Sequence, residues 1–246
     1  MYKIKPPKSD KDLIKQPPSV EKGIIPKLGS SILAVGVSGS GKSVLVQNLV
    51  CDDRFYGGNK SFKHIFLVSP TGDTDSIQKA LKLPKECIVT NLKEAPKALE
   101  KIYEYQKKQV KNLGTHRADQ ICVIFDDCIS DSDLMKEPIF IKCFIASRHY
   151  ACTTILCSQH FTKVPRICRL QASALYFFAC SRTEAETISD QLAPPQMHKK
   201  SFLQLIDDCT SEQYSFLSIY MRMPWEKRFR KNLDQIVNLE YYRQLK

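Results

Sequence analysis

The stretch GVSGSGKS, residues 36–43, decides how the rest of the chain is read. It fits the spacing G-x-x-x-x-G-K-[ST], with Gly36, Gly41, Lys42 and Ser43 at the specified places. The apolar run SILAVGV (31–37) leads into it and SVLVQNLV (43–50) follows, which is the strand–loop–helix context of a phosphate loop. Gly36, Gly39 and Gly41 let the backbone turn tightly, so that the N–H groups from Ser38 through Ser40 to Val44 can point at phosphate oxygens. Lys42 is expected to reach the β- and γ-phosphates, and the Ser43 hydroxyl to complete a magnesium shell. Taken alone, the loop says only that a nucleoside triphosphate is held.

Outward from the loop, further near-continuous apolar runs appear: KHIFLVS (63–69), QICVIFDD (120–127), CTTILCS (152–158) and ASALYFFAC (172–180). Runs of this kind are expected of strands buried on both faces, as in a parallel sheet covered by helices. CIVTN (87–91) reads as a weaker edge strand. Helical patterns fall at about 42–50, 94–111, 133–147 and 182–191, and the last opens with Ser181 and Glu184 at capping-box spacing. KKSFLQLID looks helical and QYSFLSIYMRM looks like another strand. Residues 1–28, rich in Lys and Pro, read as an extended basic arm. Residues 29–222 form the nucleotide-binding domain, and 223–246 read as a basic amphipathic helical tail after Pro224.

Three further positions carry chemistry. Asp126 and Asp127 end the run ICVIFDD. The first is placed to hold magnesium, a hard cation that wants oxygen ligands, and the second to orient or deprotonate a water. Gln159 follows CTTILCSQ, where a polar side chain at the C-terminal end of a buried strand faces the ligand crevice. Arg148 precedes that same strand and so falls at the opposite edge of the sheet. An arginine there suits a neighbouring subunit's γ-phosphate better than its own, with Arg169 and Arg182 as competing candidates. Guanine recognition is disfavoured, because NKSF at Asn59 has Phe62 where N-K-x-D needs an aspartate; ATP is the expected nucleotide.

Composition bounds the partners. The chain has 246 residues with a formal net charge of +11, an excess that favours a polyanion such as nucleic acid. Its apolar runs are strand-sized, far short of a membrane span, and MYKIKPPKSDKD lacks the apolar centre of a secretory signal. A cytoplasmic setting is the expectation. The ten cysteines include no C-x-x-C pair, and several lie inside apolar runs, which reads as reduced core thiols rather than disulfides or zinc ligands.

Together GVSGSGKS, ICVIFDD, ASRHYACTTILCSQ and VPRICRLQASALYFF resemble the FtsK/HerA superfamily, and within it the genome-packaging ATPases of nucleocytoplasmic large DNA viruses and virophages. The resemblance spans about residues 30–220. It implies an α/β, RecA-like (ASCE) P-loop NTPase fold with a mostly parallel sheet of order 5-1-4-3-2. It also implies ATP and Mg2+ as cofactors, and a ring of five or six identical subunits. The implied activity is ATP hydrolysis that drives double-stranded viral DNA into a preformed capsid, in the host cytoplasm, a virus factory or the virion. In that reading Lys42 and Ser43 bind nucleotide, Asp126 binds magnesium, Asp127 polarises water, Gln159 senses phosphate and Arg148 is the finger. Lys60, Lys63, Lys199 and Lys200 are candidate DNA grips, and Lys227, Arg228, Arg230 and Lys231 a candidate patch for a capsid or membrane partner. The alternatives are a P-loop kinase acting on a nucleotide or small molecule, and a scaffold that uses ATP only to assemble.

Overall fold

A computed structural model describes residues 16–72, 76–128 and 133–244. The strands are β1 (Ser31–Val35), β2 (His64–Val68), β3 (Ile88–Val89), β4 (Ile121–Asp126), β5 (Cys152–Ser158), β6 (Ala174–Phe177), β7 (Leu217–Tyr220), β8 (Phe229–Lys231) and β9 (Gln235–Ile236). The helices are α1 (Pro18–Glu21), α2 (Lys42–Cys51), α3 (Ser76–Leu81), α4 (Ala95–Leu113), α5 (Pro138–Ile145), α6 (Arg166–Gln171), α7 (Arg182–Leu192), α8 (Lys199–Thr210), α9 (Trp225–Arg228) and α10 (Leu239–Gln244).

The nine strands of the described residues join one sheet in the order β3-β2-β4-β5-β1-β6-β7-β8-β9. The five long apolar runs form its centre. Numbered by themselves they stand in the order 5-1-4-3-2, all parallel, as the resemblance implies. The sheet is wider than that expectation in two ways. β3 adds a parallel edge beside β2, and β7, β8 and β9 extend the far side antiparallel.

Burial on both faces explains why these runs are continuous rather than alternating. Along β1, Leu33 and Val35 enter one apolar cluster, while Ile32 and Ala34 enter the other. Each fully buried side chain of Leu or Phe size stabilises by about 1.5–3 kcal/mol relative to exposure. The sheet is therefore a rigid platform, and its loops are where chemistry can be placed.

The tail departs from the expected helix. After Pro224 come the single turn α9, then β8, a turn and β9, and a helix returns only at α10. Trp225 and Phe229 stack on each other, and Phe229 buries against Phe202 of α8, so the apolar residues are used for sheet packing. Asn232, at φ 56, takes the left-handed conformation that reverses the chain, which a helix could not accommodate. The basic patch dissolves with it. Arg230 is buried over the Tyr220 ring, Arg228 lies over Trp225, and Lys231 pairs with Glu212.

The arm likewise divides. Its residues 1–15 lie outside the described residues. Residues 16–28 are not extended: α1 forms, and Val20, Ile25 and Leu28 bury into the apolar cluster on one face of the sheet. Expected helix 133–147 is α5 flanked by 3-10 turns at Leu134–Lys136 and Ser147–Tyr150. Among the described residues the ten cysteines form no disulfide. Burial pushes Cys152 and Cys180 up to about 11, and Cys168 and Cys209 to about 12.

Candidate active site

The phosphate loop joins the C-terminal end of β1 to α2. Two glycines there are dictated by space and backbone. A Cβ on Gly36 would lie 2.6 Å from the Phe178 Cβ, and Gly41, at φ 106, holds a conformation that side chains disfavour. The loop closes on itself through Lys42, whose Nζ donates to the carbonyls of Gly36 and Val37, each at 2.8 Å. Burial holds the Lys42 amine below its usual range, against the carboxylates of Asp126 and Asp127, which pull the other way. The Ser40 Oγ is buried in the loop without a hydrogen-bond partner among the described residues.

Beside this loop lies a cleft of about 230 Å³ lined by Ser38, Gly39, Lys42, Ser43, Thr71, Asp126, Asp127, Cys157, Ser158 and Gln159. Four separate segments deliver its side chains because the parallel strands β1, β2, β4 and β5 all end on this side. The Ser43 hydroxyl donates to Asp126 Oδ2 at 3.2 Å. Gln159 Nε2 donates to Asp127 Oδ1 at 3.0 Å. Asp127 sits at φ 50, a left-handed conformation that Asp and Asn tolerate better than most residues. Such strain concentrates where a side chain must be aimed.

The loop after Gln159 is pinned from α7. Glu184, buried, accepts the Phe161 N–H at 2.8 Å, the Thr162 N–H at 3.2 Å and the Thr162 hydroxyl at 2.8 Å. The expected capping box is therefore half made. Ser181 accepts from the Glu184 N–H at 3.4 Å, but the Glu184 carboxylate is taken by the neighbouring loop instead of returning to Ser181.

Thus Lys42, Ser43, Asp126, Asp127 and Gln159 meet, with Ser38 and Gly39 at the rim. Arg148 does not join them. It is exposed in the turn before β5, the seven-residue strand that ends next to Gln159, about 20 Å away along the strand. Arg169 is held over the Phe161 ring and donates to Gln191, and Arg182 pairs with Glu186. Sequence reasoning missed Thr71; the signal was a hydroxyl just past the C-terminal end of a parallel strand.

A parallel sheet of this order, with a phosphate loop after β1, paired acids after β4 and a polar residue after β5, defines a P-loop NTPase of the RecA-like class. Residues 28–236 match the Pox_A32 family, described as Poxvirus A32 protein, and the chain belongs to that family. Similar solved structures include the DNA-packaging ATPase B204 from Sulfolobus turreted icosahedral virus, at 16% identity over 84% of this chain and 98% of that one, TM-score 0.58. The genome-packaging NTPase B204 from Sulfolobus turreted icosahedral virus 2, in complex with ATP-gammaS, is 17% identical over 85% and 98%, TM-score 0.56. EssC (ATPases 2 and 3) from Geobacillus thermodenitrificans is 10% identical over 88% of this chain and 43% of that one, TM-score 0.57. No curated protein matches significantly. Among the described residues no helix is long and apolar enough to cross a membrane.

Proposed function

We propose that the chain is an ATP-hydrolysing motor that moves double-stranded DNA into a viral capsid. The observation that carries the reading is the hydrogen bond between Gln159 and Asp127 beside the Ser43–Asp126 pair. A kinase needs an acceptor site and one metal-holding acid. Here a second acid is oriented by an amide from the next strand, which suits activation of a water. Membership of the poxvirus family and the fold shared with the B204 packaging enzymes point the same way.

The residues fit the cofactors. Ser43 and Asp126 supply hard oxygen donors that converge on one point, as Mg2+ requires. Gly36, Ser38, Gly39, Ser40, Gly41, Lys42, Ser43 and Val44 would cradle the phosphates, with the unpartnered Ser40 hydroxyl as an additional donor. Bound Mg2+ would neutralise charge on the phosphates. Asp127 takes a proton from water while Gln159 holds Asp127 and senses the γ-phosphate.

Arg148 cannot reach its own cleft, which supports a ring in which it serves the neighbour, and it alone of the three candidate arginines faces solvent without an ion pair or ring contact among the described residues. Of the candidate grips, Lys60 and Lys199 are paired with Asp53 and Asp190, so Lys63 and Lys200 are the better DNA contacts. Such contacts would hold phosphates without reading bases.

The test is steady-state ATP hydrolysis with and without long double-stranded DNA, with Asp127→Asn as control. Stimulation by DNA that weakens with salt and vanishes in the variant is expected. Turnover indifferent to DNA would overturn the motor reading.

A further inference from the structure

The acid cleft is too small for a whole nucleotide. Pockets for molecules of that size run to about 300–1,000 Å³, whereas this one measures about 230 Å³. A second cleft, of about 580 Å³, opens on the other side of the phosphate loop and shares Gly39, Lys42 and Ser43 with the first. Its remaining walls are Gly41, Val44, Leu45, Asn48, Phe178, Tyr214 and Phe216. The two clefts meet at the loop, one acidic and narrow, the other aromatic and wide.

Tyr214 is the unusual member. It is 60% exposed, although a large aromatic ring gains by burial, and it sits at φ 65, a conformation in which a bulky residue is an outlier. Both features have a local cause. Ser215 donates to the Glu212 carbonyl through its N–H at 3.1 Å and its hydroxyl at 2.7 Å, which tightens the turn. From the far side, Asn232 Oδ1 accepts the Phe216 N–H at 3.3 Å, the Asn232 N–H donates to the Phe216 carbonyl at 2.8 Å, and Lys231 holds Glu212 at 2.6 Å. The end of β8 and the turn between β8 and β9 thus prop the turn that carries the ring up against the phosphate loop. A Cβ on Gly41 would lie 3.2 Å from the Tyr214 ring. Behind it, Phe178 and Phe216 form a buried floor, with ring centroids 4.7 Å apart.

We propose that Tyr214 is the platform on which the adenine of the bound nucleotide stacks, with the exposed Val44 opposite and Asn48 at the edge. This deepens the nucleotide-binding reading of the phosphate loop and rests on it. The γ-phosphate lies among the acids, and the chain of phosphates crosses the loop. The base then leaves by the aromatic side, where a flat apolar ring is offered to it. Asn48 Nδ2 is engaged by the Val44 carbonyl at 2.9 Å, so its Oδ1 is the atom turned to an amino group on the base. Asn232, Lys231 and Glu212 are positioning residues for the platform.

The experiment compares calorimetric binding of AMPPNP with that of inorganic tripolyphosphate, both with Mg2+, on the full chain. Tyr214→Ala and Tyr214→Asn remove the ring, and asparagine tolerates the left-handed backbone. Tyr214→Phe keeps the ring. Loss of one base–aromatic stack is expected to weaken AMPPNP about tenfold, to leave tripolyphosphate unchanged, and to be reversed in the phenylalanine variant. Equal weakening of both probes would mean damage to the phosphate loop and would overturn the assignment. Unchanged AMPPNP binding would overturn it as well, while leaving the phosphate loop's role intact. If the unaltered chain bound neither probe, the nucleotide reading itself would fall.

Discussion

The two sides of the phosphate loop are built by different means. On the acid side, Asp126, Asp127 and Gln159 sit at or just past the C-terminal end of a parallel strand, and Ser43 opens the helix that the phosphate loop hangs from β1, so strand order assembles them. On the aromatic side, Phe178 and Phe216 meet at the end of an antiparallel pair, and the turn of Tyr214 is held through Phe216 by Asn232, from the turn between β8 and β9. The first side is a product of topology and tolerates little change in residue type. The second is a product of packing, and its ring can be altered while the loop stands.

That contrast ranks the expected effects. Lys42→Ala removes the cation that binds the loop together and faces both acids; hydrolysis should fall about 100- to 1,000-fold, and a rate within a few fold of the unaltered chain would break the comparison at its strongest point. Gln159→Ala removes the amide that holds Asp127 and should lower kcat about 10- to 100-fold, with nucleotide affinity held. A rise in KM with kcat intact would instead make Gln159 a binding residue.

Asn232→Ala acts on the aromatic side. It withdraws the side-chain acceptor from Phe216 and a residue suited to φ 56, so the midpoint of thermal unfolding should drop by an amount equivalent to about 1–2 kcal/mol, and KM for ATP should rise with kcat preserved. A loss of kcat with KM unchanged would mean that the turn serves the acid side instead. The smallest effect concerns the thiols. With Cys152, Cys168, Cys180 and Cys209 pushed up to about 11–12, their thiols stay protonated at pH 8. Alkylation of the native chain should then be confined to the exposed Cys51 and half-buried Cys87, and counted by mass. Rapid labelling of Cys152 would show that the sheet opens.

The same contrast explains what the amino-acid order reveals. Asp126 and Asp127 stand out because a strand buried on both faces must be apolar, so two acids at its end break the pattern for a reason. Gln159 stands out likewise. Tyr214 does not, since QYSFLSIY reads as a strand with an ordinary aromatic in it, and nothing local tells that its ring faces the phosphate loop. The segment PWEKRFRKNLDQIV misleads because Trp225 and Phe229 are four apart, a helical spacing, yet here they flank the junction of α9 and β8. Their partner Phe202 lies far away in sequence, and pairing of that kind overrides local preference. The hint was Asn232, a residue at home in a chain reversal. Glu184 teaches a similar lesson: its spacing to Ser181 announces a cap, and a loop brought close by the fold takes the carboxylate instead.

β5 carries one more implication. It is hydrogen-bonded on both flanks, to β1 and β4, over nearly its whole length, so it cannot slide or bend without breaking two ladders. One tip touches Gln159 and the other touches the turn bearing Arg148. In a ring of the kind proposed, such a strand would be a stiff spacer that fixes the distance between the terminal-phosphate end of one cleft and the face that carries Arg148. The reach from one subunit to the next would then be set by the length of seven residues.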